Sequence, residues 1–264
     1  MRRCLSALLL LGVLALQGPA YGQNNRLWDD NNILWLNNFA NVRLTDRWGL
    51  HAEYQFRREA CGLVPQQHLL RTGLNYQATD RVLLRAGYAF IATYPYGDFP
   101  LQAAGVAFPE HRAFQMLQLT DRHGQTEVSH RYMLEQRWVG RFTDREATQP
   151  AEWVFSNRMR YMLRVQRPLG QPNARGGRPY LAAYNEVFVS FGRNVGANVF
   201  DQNRLAGLVG YTFSPRVRLE AGPFSQILQL PRQIEGRTTF QNNLGAIVNA
   251  YWTVDLRRPA APAP

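Results

Sequence analysis

The chain has 264 residues and a formal net charge of +11, and every one of its cations is arginine. With two cysteines it is not a small fold stapled by several disulfides, and no stretch after Leu16 reaches the eighteen apolar residues of a membrane-crossing helix. A basic balance suits nucleic acid, but the first residues argue against that partner.

Arg2 and Arg3 precede an apolar run from Leu5 to Leu16, and small residues follow at Gly18, Ala20 and Gly22. This pattern reads as a secretory signal peptide over residues 1–22. Cys4 lies ahead of the apolar run and makes no lipoprotein box, so the exported chain keeps Cys61 alone.

Beyond the leader the hydrophobic period is two. From Ile33 to Leu44, Leu34, Leu36, Ala40 and Val42 alternate with Trp35, Asn37, Asn41 and Arg43. Then Trp48, Leu50, Ala52, Tyr54 and Phe56 alternate with Gly49, His51, Glu53, Gln55 and Arg57. The same pattern runs through His68 to Tyr76, Arg81 to Phe90, Ser129 to Trp138 and Asn243 to Leu256. It is weaker in Glu110 to Thr120, Trp153 to Val165, Tyr180 to Phe191, Gln202 to Phe213 and Arg216 to Leu230. Alternation of this kind puts one polar and one apolar face on each strand. No helix, repeat or domain boundary appears.

The connections also alternate. Short turns fall at Thr45 to Arg47, Thr79-Asp80, Asp121 to Gly124 and Ser214-Pro215. Longer loops fall at Glu59 to Pro65, Ala92 to Pro109, Gly140 to Pro150, Gly192 to Val199 and Pro231 to Arg237, and the stretch Tyr94 to Asp98 within the second is expected to be exposed at the surface. Leu169 to Arg178 is long where a short turn is due, and reads as a small insertion. Short turns on one rim and long loops on the other describe an antiparallel transmembrane β-barrel, with aromatics such as Trp48, Tyr76, Tyr88, Trp138, Trp153, Tyr211 and Trp252 at its interfaces. The rival is a water-soluble β-sandwich. An even strand count is expected, so Asn25 to Asn32 is read as a short extra strand. That gives twelve strands, ten being the alternative. The barrel is placed at residues 23–256 and a disordered Pro/Ala-rich tail at 257–264.

Four blocks carry a family resemblance: LWLNNFANVRLTDRWGLHAEYQFR at Leu34 to Arg57, QQHLLRTGLNYQATDRVLLRAGYAF at Gln66 to Phe90, EHRAFQML at Glu110 to Leu117, and HRYMLEQRW at His130 to Trp138. In their order they resemble the DUF2490 family of bacterial proteins of unknown function, whose members look like outer-membrane β-barrels. The resemblance implies a barrel in a Gram-negative outer membrane. Its partners would be outer-membrane lipid and, during biogenesis, the barrel-assembly machinery. It supplies no catalytic residue.

The residues themselves offer little chemistry. Ser129 and His130 are adjacent, so on a strand they face opposite ways and make no nucleophile–base pair. His51 reads as a hydrogen-bonded lumen residue, and Cys61 as an incidental loop thiol. Asp29 and Asp30 read as a hydrated turn rather than a calcium site. No phosphate loop or zinc spacing appears, and no cofactor, metal or enzymatic activity is expected.

What remains is charge. Arg71, Arg85, Arg131, Arg137, Arg158, Arg160, Arg164, Arg204 and Arg218 fall on polar faces, with Glu53, Glu135, Glu186 and Glu220. Two readings stay open. The groups pair and fill a closed structural or binding barrel, or the excess arginine lines a narrow passage for small anionic solutes.

Overall fold

The computed structural model describes residues 25–174, 176–196 and 198–257. The signal segment and the tail beyond Arg257 lie outside the described residues. Eleven strands follow one another: β1 (Arg26–Arg43), β2 (Trp48–Glu59), β3 (Val64–Thr79), β4 (Val82–Thr93), β5 (Phe108–His123), β6 (Thr126–Arg141), β7 (Glu152–Pro168), β8 (Arg178–Phe191), β9 (Phe200–Ser214), β10 (Val217–Ile234) and β11 (Arg237–Asp255). Each pairs antiparallel with the next, and β1 also pairs with β11 to close the barrel. The soluble sandwich is thereby excluded.

The strand count corrects the expected twelve. Asn25 to Asn32 makes no strand of its own; residues 26–32 are the first part of an 18-residue β1. With an odd number of strands the first and last run in the same direction, so β1 and β11 pair in parallel from Arg26↔Thr238 to Arg43↔Asp255. The strands hold 12 to 19 residues, more than the ~10 that cross a hydrocarbon core at a tilt.

The alternation sorts side chains by polarity, in the reverse of a water-soluble core. In β2, His51, Glu53, Gln55 and Arg57 point inward and are buried, while Trp48, Leu50 and Tyr54 point outward and are exposed. The side chains with no appreciable exposure include Glu110, Glu135, Glu220, Gln241 and Asn243. Leu70, Leu74, Leu163, Leu205, Val209 and Leu244 lie on the outer surface. Outward-facing Trp48 and Trp252 sit near the short-turn rim, and Trp138 and Trp153 near the long-loop rim. Tyr88, expected at an interface, lies near the middle of β4.

The rims differ as expected, with two exceptions. Glu59 to Pro65 is a tight 3-10 turn at Ala60–Gly62 rather than a long loop. Pro231 to Arg237 reduces to the two-residue turn Glu235-Gly236, both at positive φ (50° and 73°), the geometry that suits a twisted hairpin. Strand pairing leaves little clearance at some points. A Cβ at Gly245 would lie 1.7 Å from the Ile33 carbonyl oxygen, against the parallel seam. The ring of Tyr180 covers Gly210, its cross-strand partner, filling the space a side chain would occupy.

Closure should therefore depend on Gly245. Gly245→Val is expected to abolish the compact, heat-modifiable band on a detergent gel, whereas Gly207→Ala, with no atom within 4 Å of the added Cβ, should keep it. Normal migration of the Gly245 variant would show that the seam tolerates a side chain.

Candidate functional site

Alternation brings the charged residues of seven strands into one volume. The β6–β7 register sets Glu135 opposite Arg158 and Met133 opposite Arg160. Glu135 Oε2 accepts from Arg158 Nε and Nη2 at 2.8 and 2.6 Å, and Oε1 accepts from Arg160 Nη1 at 2.8 Å. Arg71 of β3 and Arg112 of β5 each bring a guanidinium nitrogen to 3.6 Å from the same carboxylate. Four arginines thus converge on one fully buried acid.

The network continues outward from this hub. Arg160 and Arg131 share Glu186 Oε1, at 2.8 and 2.9 Å. Arg158 and Arg137 both reach Asp201, at 3.1 and 3.2 Å. Arg137 also holds Glu110 at 2.6 Å, and Arg71 holds Glu53 at 2.7 Å. Toward the short-turn rim a second cluster forms around Glu220, which accepts from Arg164 (2.6 Å), Tyr180 (2.9 Å), Tyr251 (2.8 Å) and Asn249 (2.9 Å). Several of these bonds join strands that are not neighbours in the sheet, so they cross the lumen rather than line it.

Nine arginines were expected on the polar faces, and they divide into two groups. Arg71, Arg131, Arg137, Arg158, Arg160 and Arg164 each hold a carboxylate. Arg85, Arg204 and Arg218 have none within 4 Å among the described residues. Arg85 donates to Asn75 at 2.6 Å, Arg204 donates to Gln202 at 3.0 Å, and Arg218 lies 4.2 Å over the Tyr251 ring. His51 is buried, against Asn41 and Glu53. Four members of the site were not singled out from sequence. Glu110 and Arg112 lie on a strand whose alternation is weak. Asp201 falls one residue before the expected strand start, where a bulge opposite Phe188 and Val189 lets Asp201 and Gln202 both turn inward. Arg57 was placed on a polar face but not in the network.

Above the hub, toward the long-loop rim, lies a chamber of about 440 Å³. Its walls include Trp35, Arg57, Leu69, Arg112, Val154 and Arg204, and the 94–107 loop contributes Tyr96, Leu101 and Gln102. This loop is not the freely exposed segment that its sequence implies. Asp29 accepts hydrogen bonds from the backbone N–H groups of Asp98 and Phe99, both at 3.3 Å. Tyr96 is buried and donates to Gln241 at 2.7 Å, and Arg232 holds the Pro100 carbonyl at 2.8 Å. A Cβ on Gly97, whose φ is +68°, would lie 2.5 Å from Asp29 Oδ2, so the residue packs where a surface tip was expected. Asp29 is accordingly a buried anchor within β1, not part of a hydrated turn.

Other candidates are kept apart by the geometry. Ser129 faces inward against Thr120, while His130 faces outward and bonds the Tyr161 hydroxyl at 2.9 Å. Cys61 is exposed and free. Among the described residues no group of three or more His, Cys, Asp or Glu side chains is arranged to hold a metal ion.

Removing the hub charge should be expensive. Glu135→Gln removes the one negative charge shared by four buried guanidinium groups, two of them bonded to it at 2.8 Å or less, and is expected to cost about 3–5 kcal/mol, measured by urea unfolding of the folded barrel. Glu127→Gln, which loses only an exposed 3.5 Å contact with Arg122, should change stability by less than about 1 kcal/mol. Equal effects would show that the hub carries no special share of stability.

No curated protein matches the chain, and no solved structure matches it. A family model described as protein of unknown function (DUF2490) matches residues 32–235, from within β1 through the end of β10. That match covers well over half of the sequence and includes the hub, the chamber walls and the inward-folded loop, so the chain belongs to the DUF2490 family.

Proposed function

We propose that this protein is an outer-membrane barrel with an occluded waist, acting as a binding barrel rather than an open pore. The observation that carries the reading is the ion-pair network around Glu135, in which Arg71 of β3 reaches Glu135 of β6 and Arg137 of β6 reaches Asp201 of β9 past intervening strands, beneath a roofed chamber. A hydrated passage leaves its wall charges solvated and apart, whereas here most of the inward-facing arginines pair with buried carboxylates. The chamber has the volume of a small-molecule site, and its lining mixes aromatic and aliphatic walls with a few oriented polar groups. The membrane part of the proposal is supported by the outward apolar surface, the tryptophans near both rims and the leader-like first residues. On this reading outer-membrane lipid surrounds the barrel, the assembly machinery inserts it, and a small anionic solute is its ligand.

The second reading is a narrow anion-favouring passage. It is favoured by the cations that lack a carboxylate, Arg85 and Arg218 on the short-turn side and Arg204 above them. Fixed charge of that sign lowers the barrier for anions.

Conductance separates the two. Purified wild-type protein in a planar bilayer is expected to give no steady steps, and R158Q/R160Q should open discrete ones by loosening the network that joins Glu135, Glu186 and Asp201. Anion-selective steps from the wild type, reduced by the same double substitution, would establish the passage instead. Fractionation checks the location: the mature protein should be recovered with outer membranes and released by detergent. Recovery as a soluble periplasmic monomer would refute the membrane assignment.

A further inference from the structure

Two of the arginines that line the chamber are not satisfied in the same way as those around Glu135. Arg57 and Arg204 lie over one indole, their guanidinium carbons 3.8 and 4.8 Å from the Trp35 ring centroid. Both are more than nine-tenths buried, and both line the chamber. Neither has a carboxylate within 4 Å among the described residues. The Nη groups of Arg57 reach only the neutral amides of Gln55 and Gln67, and its buried Nε has no hydrogen-bond partner. Arg204 donates Nε to the Gln202 amide, and no hydrogen bond from either of its Nη nitrogens is present among the described residues. Trp35 is itself fixed by its Nε1–H on Gln66 at 2.7 Å.

The two like charges share one ring, and the nearest acids, Glu186 opposite Arg204 and Glu110 and Asp201 on the chamber wall, are each held by other arginines. Burial of a cation without a counter-ion is unfavourable, and each guanidinium is a planar fork suited to two oxygens of one anion. Around Glu135 the matching acid is built into the wall. Here the direct polar contacts are the amides of Gln55, Gln67 and Gln202, and both arginines face the chamber. Leu69, Phe108, Val139 and Val154 give the same space an apolar side.

We infer that the Arg57–Trp35–Arg204 cluster is the head-group site of the chamber, and that it takes a small organic anion. One carboxylate or phosphate bridges the two guanidinium groups, and a short apolar body lies against the aliphatic wall. This deepens the binding-barrel reading and rests on it. The counter-ion missing from the wall is supplied by the ligand, so binding favours anions over isosteric amines or alcohols. It weakens with salt less than binding at an exposed site does, because the charges are buried.

The test is calorimetric titration of the detergent-solubilised barrel with hexanoate, hexyl phosphate, inorganic phosphate, hexanol and hexylamine. Hexanoate and hexyl phosphate should bind the wild type and raise its melting temperature, with hexylamine at least tenfold weaker. Arg57→Gln and Arg204→Gln should each weaken the anions at least tenfold and leave hexanol unchanged. Arg85→Gln, also without a carboxylate but outside the chamber, should have no effect. If inorganic phosphate binds as well as hexyl phosphate, the free ion is the ligand and the apolar part of the inference fails. Equal binding of hexanol, hexylamine and hexanoate would overturn the anion site while leaving the chamber as a binding site. No binding of any probe, together with wild-type conductance, would overturn both. Should the variants fail to fold, the preference of the wild type for hexanoate over hexylamine still decides the matter.

Discussion

One fully buried carboxylate, Glu135, sets the terms for the interior of this barrel. A carboxylate removed from water loses several kcal/mol of hydration, and so does each guanidinium brought to it. The cost is offset only where every charge finds oriented partners. Glu135 meets that condition through short bonds from Arg158 and Arg160 and the nearby charge of Arg71 and Arg112. None of the four arginines depends on Glu135 alone, since each also reaches Asp201, Glu186, Glu53 or Glu110. The result is a lattice of alternating charge in which a planar guanidinium bridges two acids. Lysine, a point charge on a flexible stem, would not reproduce it.

This lattice shares the interior with apolar clusters. The strands turn most of their apolar side outward, but eight buried residues, among them Ile33, Trp35, Tyr180, Phe224 and Ile247, form one cluster, and Phe114, Met116 and Met133 a smaller one. The remaining interior contacts are polar, and polar side chains specify distance and angle more sharply than aliphatic ones do. Aromatic rings serve as spacers between like charges: Phe188 lies beneath Arg158, Arg160 and Arg204, at 4.5 to 5.1 Å. The odd strand number adds an asymmetry. With β1 and β11 parallel, the first strand starts at the long-loop rim, and this puts Asp29 where it can fasten the 94–107 loop. Closure of the sheet and roofing of the chamber thus depend on the same strand.

The lumen arginines differ in how they are neutralised. Around Glu135 the counter-charge is part of the wall. Arg57 and Arg204 meet glutamine amides instead, and both line the chamber.

The sequence by itself determined the local geometry. Period-two alternation in eleven segments located eleven strands, and it assigned Glu135, Glu186 and all the paired arginines but Arg112 to the inner face, because side-chain direction on a strand depends only on position parity. The difference in rim lengths was legible for the same reason: turn residues act locally. Strand number was misjudged because alternation does not say whether residues 26–32 continue a strand or begin one; that is decided by the partner, and β11 is 19 residues long. Asp201 was missed because a bulge breaks parity at that point. The partners of the charges were decided only by the tertiary structure. Arg71 meets Glu135 across 64 positions of sequence and Arg158 meets Asp201 across 43, separations over which no residue pattern carries information. The same holds for the inward loop and the roofed chamber. Asp29 and Phe99 are 70 residues apart, and only barrel closure brings a β1 carboxylate beneath that loop.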